Sequence, residues 1–321
     1  MKLAAWLVAL GWVVSMGASA QDSIGGPVKM IVPAVAGGGV DVVARAVATK
    51  LSPAIGQPVI IDNRGGGSGI PGIEAVGRAA PDGQTVLIAT MGQLAINPAL
   101  YRNRKLPYNI DRDFVPVSLV AAAELMLMVN PGVPVKNMAE FLAYAKAQNG
   151  KLQYGSSGIG GGPHLTMELL AAATGVKFSH VPYKGSTPAF TDALGGHVPV
   201  LLDTLVGGLQ YVRSGKLRAI AVLSGQRSGL LPDVPTVAET VPNFAVTNWY
   251  GLMVPTGTPA GIQKLLHEQV AKILADPALK AEFVRQGIVL GSGTQADFAR
   301  FLKAETARWA KIVVDNDVAP D

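Results

Sequence analysis

The chain has 321 residues, no cysteine, and 27 lysines and arginines against 22 aspartates and glutamates. The lack of cysteine excludes a disulfide framework, thiolate chemistry and a cysteine-linked lipid anchor. The formal charge of +5 is spread along the chain without basic clusters, which excludes a nucleic-acid binder. At the N-terminus, Lys2 precedes the apolar run Leu3–Val14, and Ala18-Ser19-Ala20 follows as a small-residue cleavage site. This reads as a secretory signal peptide over residues 1–20, cut after Ala20. Removing it leaves 301 residues and, because Lys2 is its only charged side chain, a charge of +4. That length is enough for two domains with cores of their own. No later stretch is apolar for long enough to span a bilayer, so an exported protein is expected.

From Gln21 onward, strand and helix patterns alternate. Val28–Val32 reads as a strand, Val40–Leu51 as a helix, Val59–Asp62 as a strand, Ile73–Ala80 as a helix and Thr85–Ala89 as a strand. Such alternation predicts an α/β fold with a mainly parallel sheet. Val115–Val129 is too long an apolar run for one ordinary strand, and is expected to carry the chain from one domain into a second. There the plan repeats. Met138–Gln148, Pro163–Ala173 and Pro188–Leu194 read as helices; Leu152–Gly155, Phe178–Val181, Val198–Leu202 and Leu217–Leu223 read as strands. Asn248–Val254 is a strand returning to the first domain, followed by helices over Pro259–Ile273, Pro277–Gly287 and Gln295–Val313. The expected division is therefore 21–123 and 248–321 for the first domain and 124–247 for the second. Two crossings between two α/β lobes with a cleft between them describe a hinged binding protein.

Two glycine-rich loops sit where such a cleft would be. Gly37-Gly38-Gly39 follows the Val28–Val32 strand and opens a helix whose apolar face is Val40, Val43, Ala44, Val47 and Leu51. Strand, glycine loop and helix start together aim free N–H groups and the positive end of a helix dipole at one point, which favours an anion. The segment Ser156-Ser157-Gly158-Ile159-Gly160-Gly161-Gly162-Pro163-His164 repeats that device, with proline in the first helical turn. Asp41 has two readings: it stabilises the helix start, or it faces the cleft and holds a water or an amino group. Arg45, one turn on, is spaced to pair with Asp41, which weighs against Arg45 as a ligand contact. His164 caps or packs the second helix start.

A third glycine run, Gly65–Gly72, contains a formal G-x-G-x-x-G at Gly67, Gly69 and Gly72. The next strand ends at Ala89-Thr90-Met91-Gly92-Gln93 without the acid that a dinucleotide site needs, so no cofactor is expected. There is no Walker A lysine and no G-x-S-x-G, and the four histidines lack metal-ligand spacing. Asp41 and Asp203 would be the candidate pair for an exported enzyme acting on a small organic acid. No nucleophile–base or metal set accompanies them.

The chain resembles the Bug family of periplasmic solute-binding proteins, the receptors of tripartite tricarboxylate transporters. Residues along the whole mature chain carry the likeness: Val32-Pro33 with Ala36-Gly37-Gly38, Asp41 and Ala44-Arg45; Asp62-Asn63-Arg64; Pro81-Asp82-Gly83; and Phe114-Val115-Pro116-Val117. It continues through Gly155-Ser156-Ser157-Gly158 with His164-Leu165, Val181-Pro182-Tyr183-Lys184-Gly185, Leu231–Thr236, Trp249-Tyr250-Gly251 and Gly257-Thr258-Pro259. The resemblance implies a two-lobe Venus-flytrap fold whose loops Ala34–Asp41 and Ser156–His164 close on a carboxylate. The ligand-contacting residues it implies are Ala34, Val35, Ala36, Gly37, Gly38, Asp41 and Gln93 from the first lobe. From the second they are Ser156, Ser157, Gly158, Gly160, Gly161, Gly162, His164 and Asp203. The implied partners are a small organic acid and a membrane permease or sensor kinase, with the receptor itself a monomer that catalyses nothing. The family often carries an aromatic at the position of Ala34 and a hydroxyl at that of Val40. Their absence here implies a roomier cavity, suited to an aromatic or bulkier monocarboxylate, with Asp203 selecting an amine or hydroxyl.

Overall fold

A computed structural model describes residues 23–315 and residue 318; the expected signal peptide lies outside the described residues. In chain order the first part comprises β1 (Val28–Val32), α1 (Gly39–Ile55), β2 (Val59–Asn63), α2 (Ile70–Gly77) and β3 (Thr85–Thr90). A wide helical turn over Gly92–Ile96 then leads into the short helices α3 (Asn97–Leu100) and α4 (Ile110–Asp113). The long strand β4 (Phe114–Val129) follows, and after it α5 (Met138–Ala147), β5 (Gln153–Ser156), α6 (Gly162–Thr174) and β6 (Ser179–Pro182). Next come α7 (Ser186–Leu194), β7 (Val200–Thr204), α8 (Leu205–Arg213) and β8 (Arg218–Val222). The chain ends with β9 (Thr247–Pro255), α9 (Ala260–Leu274), α10 (Pro277–Val284), β10 (Ile288–Leu290) and α11 (Gln295–Asp315).

The strands run in the order β2-β1-β3-β9-β4-β7-β5-β6, with β8 and β10 also paired to β4. Val115–Val129, expected as a connection, lies within this one strand of 16 residues. Its first part pairs with β9 and β10 in the first lobe, and its end with β7 and β8 in the second. A strand that belongs to two sheets is covered on both faces, which is why its sequence is continuously apolar and not alternating. The register against β9 shifts between Pro116 and Ser118, where proline has no N–H to give the ladder.

The expectation of a mainly parallel sheet needs correction. β1 pairs in parallel with β2 and β3, and β5 with β6 and β7. The pairings that join these halves, β3–β9, β9–β4 and β4–β7, are antiparallel, as are those of β8 and β10 with β4. Helical crossovers enforce parallel neighbours only within a βαβ unit. The two strands that pass between lobes have no such constraint. The architecture is the two-lobe α/β fold with two crossings that was expected.

Local sequence accounts for most elements. The apolar stripe of α1, namely Val40, Val43, Ala44, Val47 and Leu51, is buried to 5 % exposure or less, and the helix stops at Gly56 in the left-handed conformation. Helix α11 buries Phe298, Leu302, Trp309 and Val313. Two indoles from different elements, Trp249 and Trp309, donate to the same Glu305 carboxylate at 2.9 and 3.2 Å. Helix α8 escapes sequence reading because Gly207-Gly208 lies inside it and glycine is a poor helix former. A Cβ on Gly208 would come 2.6 Å from the Met128 sulfur, and one on Gly207 2.6 Å from the Phe190 ring. Both glycines are required by the close seating of the helix.

Candidate functional site

The first loop is held rigid from beneath. The Asp41 carboxylate, 2 % exposed, accepts hydrogen bonds from the Gly37 N–H, Asn63 Nδ2 and Arg45 Nε, each at 2.9 Å. Asn63 Nδ2 also donates to the Ala34 carbonyl at 3.2 Å, so β2 is fastened across the loop. Burial works to raise the Asp41 pKa, but the bonds from Arg45, Gly37 and Asn63 outweigh it and hold the carboxyl below its ordinary range. Asp41→Ala should therefore cost about 2–4 kcal/mol of folding stability in urea unfolding at pH 7, the magnitude of several hydrogen bonds to a charged group. That contribution is present at neutral pH and fades only as pH falls through the depressed pKa. A loss under about 0.5 kcal/mol, the low end for a single net hydrogen bond, would show that the network carries nothing.

The second loop is built around two stacked imidazoles. His164 and His180 lie 4.0 Å apart, centroid to centroid, and Tyr154 stacks on the far face of the pair at 4.8 Å from His180. Burial and the neighbouring His180 push the His164 pKa down to about 3, so the ring is neutral and its Nδ1 accepts the Gly160 N–H at 3.1 Å. Ser156 Oγ bonds His180 Nε2 at 2.7 Å and accepts the Gly158 N–H at 3.2 Å. His164 is thus an internal brace for the loop.

A third loop completes the ring. Ser68, held in the left-handed region at φ 56°, donates its hydroxyl to the Ile159 carbonyl at 2.7 Å and bonds the Tyr101 hydroxyl at 2.8 Å. Across the mouth, Thr187 Oγ1 reaches the Ala36 carbonyl at 3.5 Å. Ser68 and Ala36 belong to the first lobe, Ile159 and Thr187 to the second. The lobes are closed on one another.

Between them lies a cavity of about 300 Å³. Of the residues expected to contact a ligand, Ala34, Val35, Gly38, Gln93, Ser157, Gly158, Gly161, Gly162 and Asp203 line it. Ala36, Gly37, Asp41, Ser156, Gly160 and His164 do not; they sit in or behind the loops that shape the wall. Asp41 sits behind the wall, bonded to Gly37, Arg45 and Asn63. With Asp41 off the wall, no carboxylate pair is formed with Asp203. Gln93 faces the cavity with its amide already used: Oε1 accepts from the Thr90 N–H and Nε2 donates to the Pro33 carbonyl.

Sequence reasoning missed the Gly66–Gly69 turn, Tyr183–Ser186, Thr204, Asn248 and Tyr250, all on the wall. Several were in plain view. The Pro182-Tyr183-Lys184-Gly185 and Trp249-Tyr250 segments carry the family likeness, and the third glycine run has the form of a dinucleotide signature.

Electrostatically, the site is dominated by backbone. Helix α1 begins after Gly38 and α6 after Gly161, both on the cavity wall, and neither N-cap supplies a side-chain oxygen. The first-turn N–H groups of two long helices, with their dipoles, therefore meet at one cleft. Lys184 adds a positive charge on the wall. Among the wall residues Asp203 is the sole carboxylate. It is 1 % exposed, and its Oδ1 accepts from the Thr204 N–H at 2.6 Å, Ser186 Oγ at 3.0 Å and Thr204 Oγ1 at 3.2 Å. Burial pushes its pKa up to about 6 against the effect of those bonds.

Comparison with known proteins agrees with this architecture. A Bordetella pertussis protein, BugT, is 37% identical over 289 residues, covering 89% of this chain and 88% of its own. A Rhodopseudomonas palustris protein solved with adipate superposes with a TM-score of 0.88 at 35% identity, covering 92% of this chain and 98% of its own. A second protein from that organism, MatC with bound malate, gives 0.84 at 30% identity, covering 89% and 98%. No helix among the described residues is long and apolar enough to cross a membrane. The sequence profile of the tripartite tricarboxylate transporter family receptor matches residues 43–318, and the chain belongs to that family of receptors, which are binding proteins and not enzymes.

Proposed function

We propose that this protein is a periplasmic receptor that captures a small organic carboxylate between its lobes and presents the closed form to a membrane permease. The observation that carries the reading is the pair of uncapped helix starts, α1 and α6, meeting at one cavity of about 300 Å³. Charge-assisted bonds from backbone N–H groups to a carboxylate are among the strong kind, and the loops are already organised to make them. The relatives solved with adipate and malate support the same class of guest. On this reading the signal peptide is removed after Ala20, and the mature chain works as a monomer. The hinge falls at the 123/124 and 247/248 boundaries, and a sensor kinase is the other surface that would read closure.

Binding only to the folded protein raises its thermal stability with ligand concentration. A matching acid at about a hundred times its Kd should add about 2.7 kcal/mol. The test is a thermal-shift panel of aliphatic, hydroxylated, aromatic and amino acids on protein purified, unfolded and refolded to remove any carried ligand. A panel in which no carboxylate moves the midpoint would overturn the proposal.

A further inference from the structure

Three buried polar atoms belonging to residues that line the cavity, Asp203 Oδ2, Asn248 Oδ1 and the Tyr250 hydroxyl, make no hydrogen bond of good geometry among the described residues. Their residues are 1 %, 5 % and 1 % exposed. An unmatched buried polar atom costs free energy, and three at one place in a native protein call for a cause. They are also close together. Asn248 and Tyr250 are two apart on β9 and share one face of that strand. Burial and then the Asp203 charge raise the pKa of the Tyr250 hydroxyl, with a weak hydrogen-bond contact from the Asn248 side chain acting against them. Two of them lie beside the helix starts. A Cβ on Gly39 would come 2.6 Å from the Tyr250 hydroxyl, and one on Gly162 would come 2.8 Å from Asn248 Oδ1.

Two of the three, the carboxylate and amide oxygens, only accept, and the phenol both accepts and donates. Backbone N–H groups converge on the neighbouring space. Building on the carboxylate reading, we propose that the ligand carries a hydroxyl or ammonium group close to its carboxylate, donated to Asp203 Oδ2 and Asn248 Oδ1, with Tyr250 as the third partner. The carboxylate lies at the starts of α1 and α6; the donor enters the acceptor cluster beside them. Acids that lack the donor leave those acceptors buried and unmatched, and a site built to hydrogen-bond a group discriminates strongly against its absence.

Isothermal titration with matched triads tests this: propionate, lactate and alanine; succinate, malate and aspartate; phenylacetate, mandelate and phenylglycine. In whichever scaffold fits, the hydroxyl or the amino member is expected to bind at least about tenfold more tightly than its plain parent, the effect of one buried charge-assisted bond. The hydroxyl and amino arms separate the two donors. Asp203→Asn keeps the Oδ1 acceptor and turns Oδ2 into a donor, so the preference should vanish or invert while the plain parent binds as well or better. Tyr250→Phe, which leaves the ring in place, should reduce the preference without removing it. Should Asp203→Asn fail to fold, the wild-type triads and Tyr250→Phe decide alone. Plain acids that bind as tightly as their hydroxyl and amino analogues overturn this inference and leave the receptor reading standing. If no acid of any triad binds, both fall.

Discussion

Replacing Gly92 by alanine is expected to lower the affinity for a carboxylate ligand by about a hundredfold while leaving thermal unfolding almost unchanged. Gly92 follows β3 in the first lobe. A Cβ there would overlap the Gly160 carbonyl oxygen and come within 3.0 Å of Gly161 Cα and Gly162 N in the second. Both sides of that contact are backbone, so no side chain is able to swing away. Gly92 does not have a positive φ, so alanine fits the local conformation and favours its helical turn. The methyl group therefore penalises closure alone. A steric cost of about 3 kcal/mol, the upper end for an overpacked contact, converts to about a hundredfold in Kd. Titration calorimetry measures the loss. Small-angle scattering should show that the variant, unlike the wild type, does not contract when ligand is added. An alanine variant that binds and contracts normally would mean the lobes do not meet through Gly92 and Gly160.

That contact also shows where sequence reading reaches its end. The two glycine cradles were legible because each stands between a strand and an amphipathic helix, a local pattern with a local cause. The Asp41–Arg45 pair was legible from its i,i+4 spacing, and the structure has it at 2.9 Å. What the pattern did not show is which way each side chain turns. Asp41 points back beneath its loop because Asn63 of β2 approaches from the next strand, a contact between residues far apart in sequence. Asn248 and Tyr250 read as alternate residues of an apolar strand. They front the cavity because β9 lies between β3 and β4 at the crossing of the lobes, and only long-range pairing sets that. The third glycine run matches a dinucleotide signature only formally, since the acid that signature needs is missing. Its use is steric: Ser68 takes a left-handed conformation between Gly67 and Gly69 and reaches the opposite lobe. Docking of one lobe on the other creates these contacts, and no window of sequence contains both sides.

Asp203 is expected to make closure of the ligand-free receptor depend on pH. In the closed structure its carboxyl is buried and its pKa is pushed up to about 6, against about 3.9 for a hydrated aspartate. Opening the cleft is expected to return the group to water. The closed form therefore binds the extra proton between these values, and closure without ligand becomes easier as pH falls from about 7 toward 4. Above about pH 6 the ionised carboxylate opposes empty closure by roughly 3 kcal/mol, since each tenfold change in proton affinity corresponds to about 1.4 kcal/mol. The groups facing it are Ser186, Thr204, Tyr250 and, on the same wall, Asn248 and Lys184. Burial raises the Tyr250 hydroxyl further from neutrality, which leaves Asp203 as the titrating member of this cluster between about pH 4 and 8. Scattering or spin-label distances on refolded, ligand-free protein should show a larger closed fraction near about pH 5 than near about pH 8. Asp203→Asn, uncharged throughout, should be as closed at the higher pH as the wild type is at the lower, with no pH dependence. A cost of this size on the empty closed state keeps a receptor open until a guest arrives, because the donor that satisfies Asp203 also removes the opposition to closing. Equal closed fractions for wild type and variant at the higher pH would exclude that role for the carboxylate.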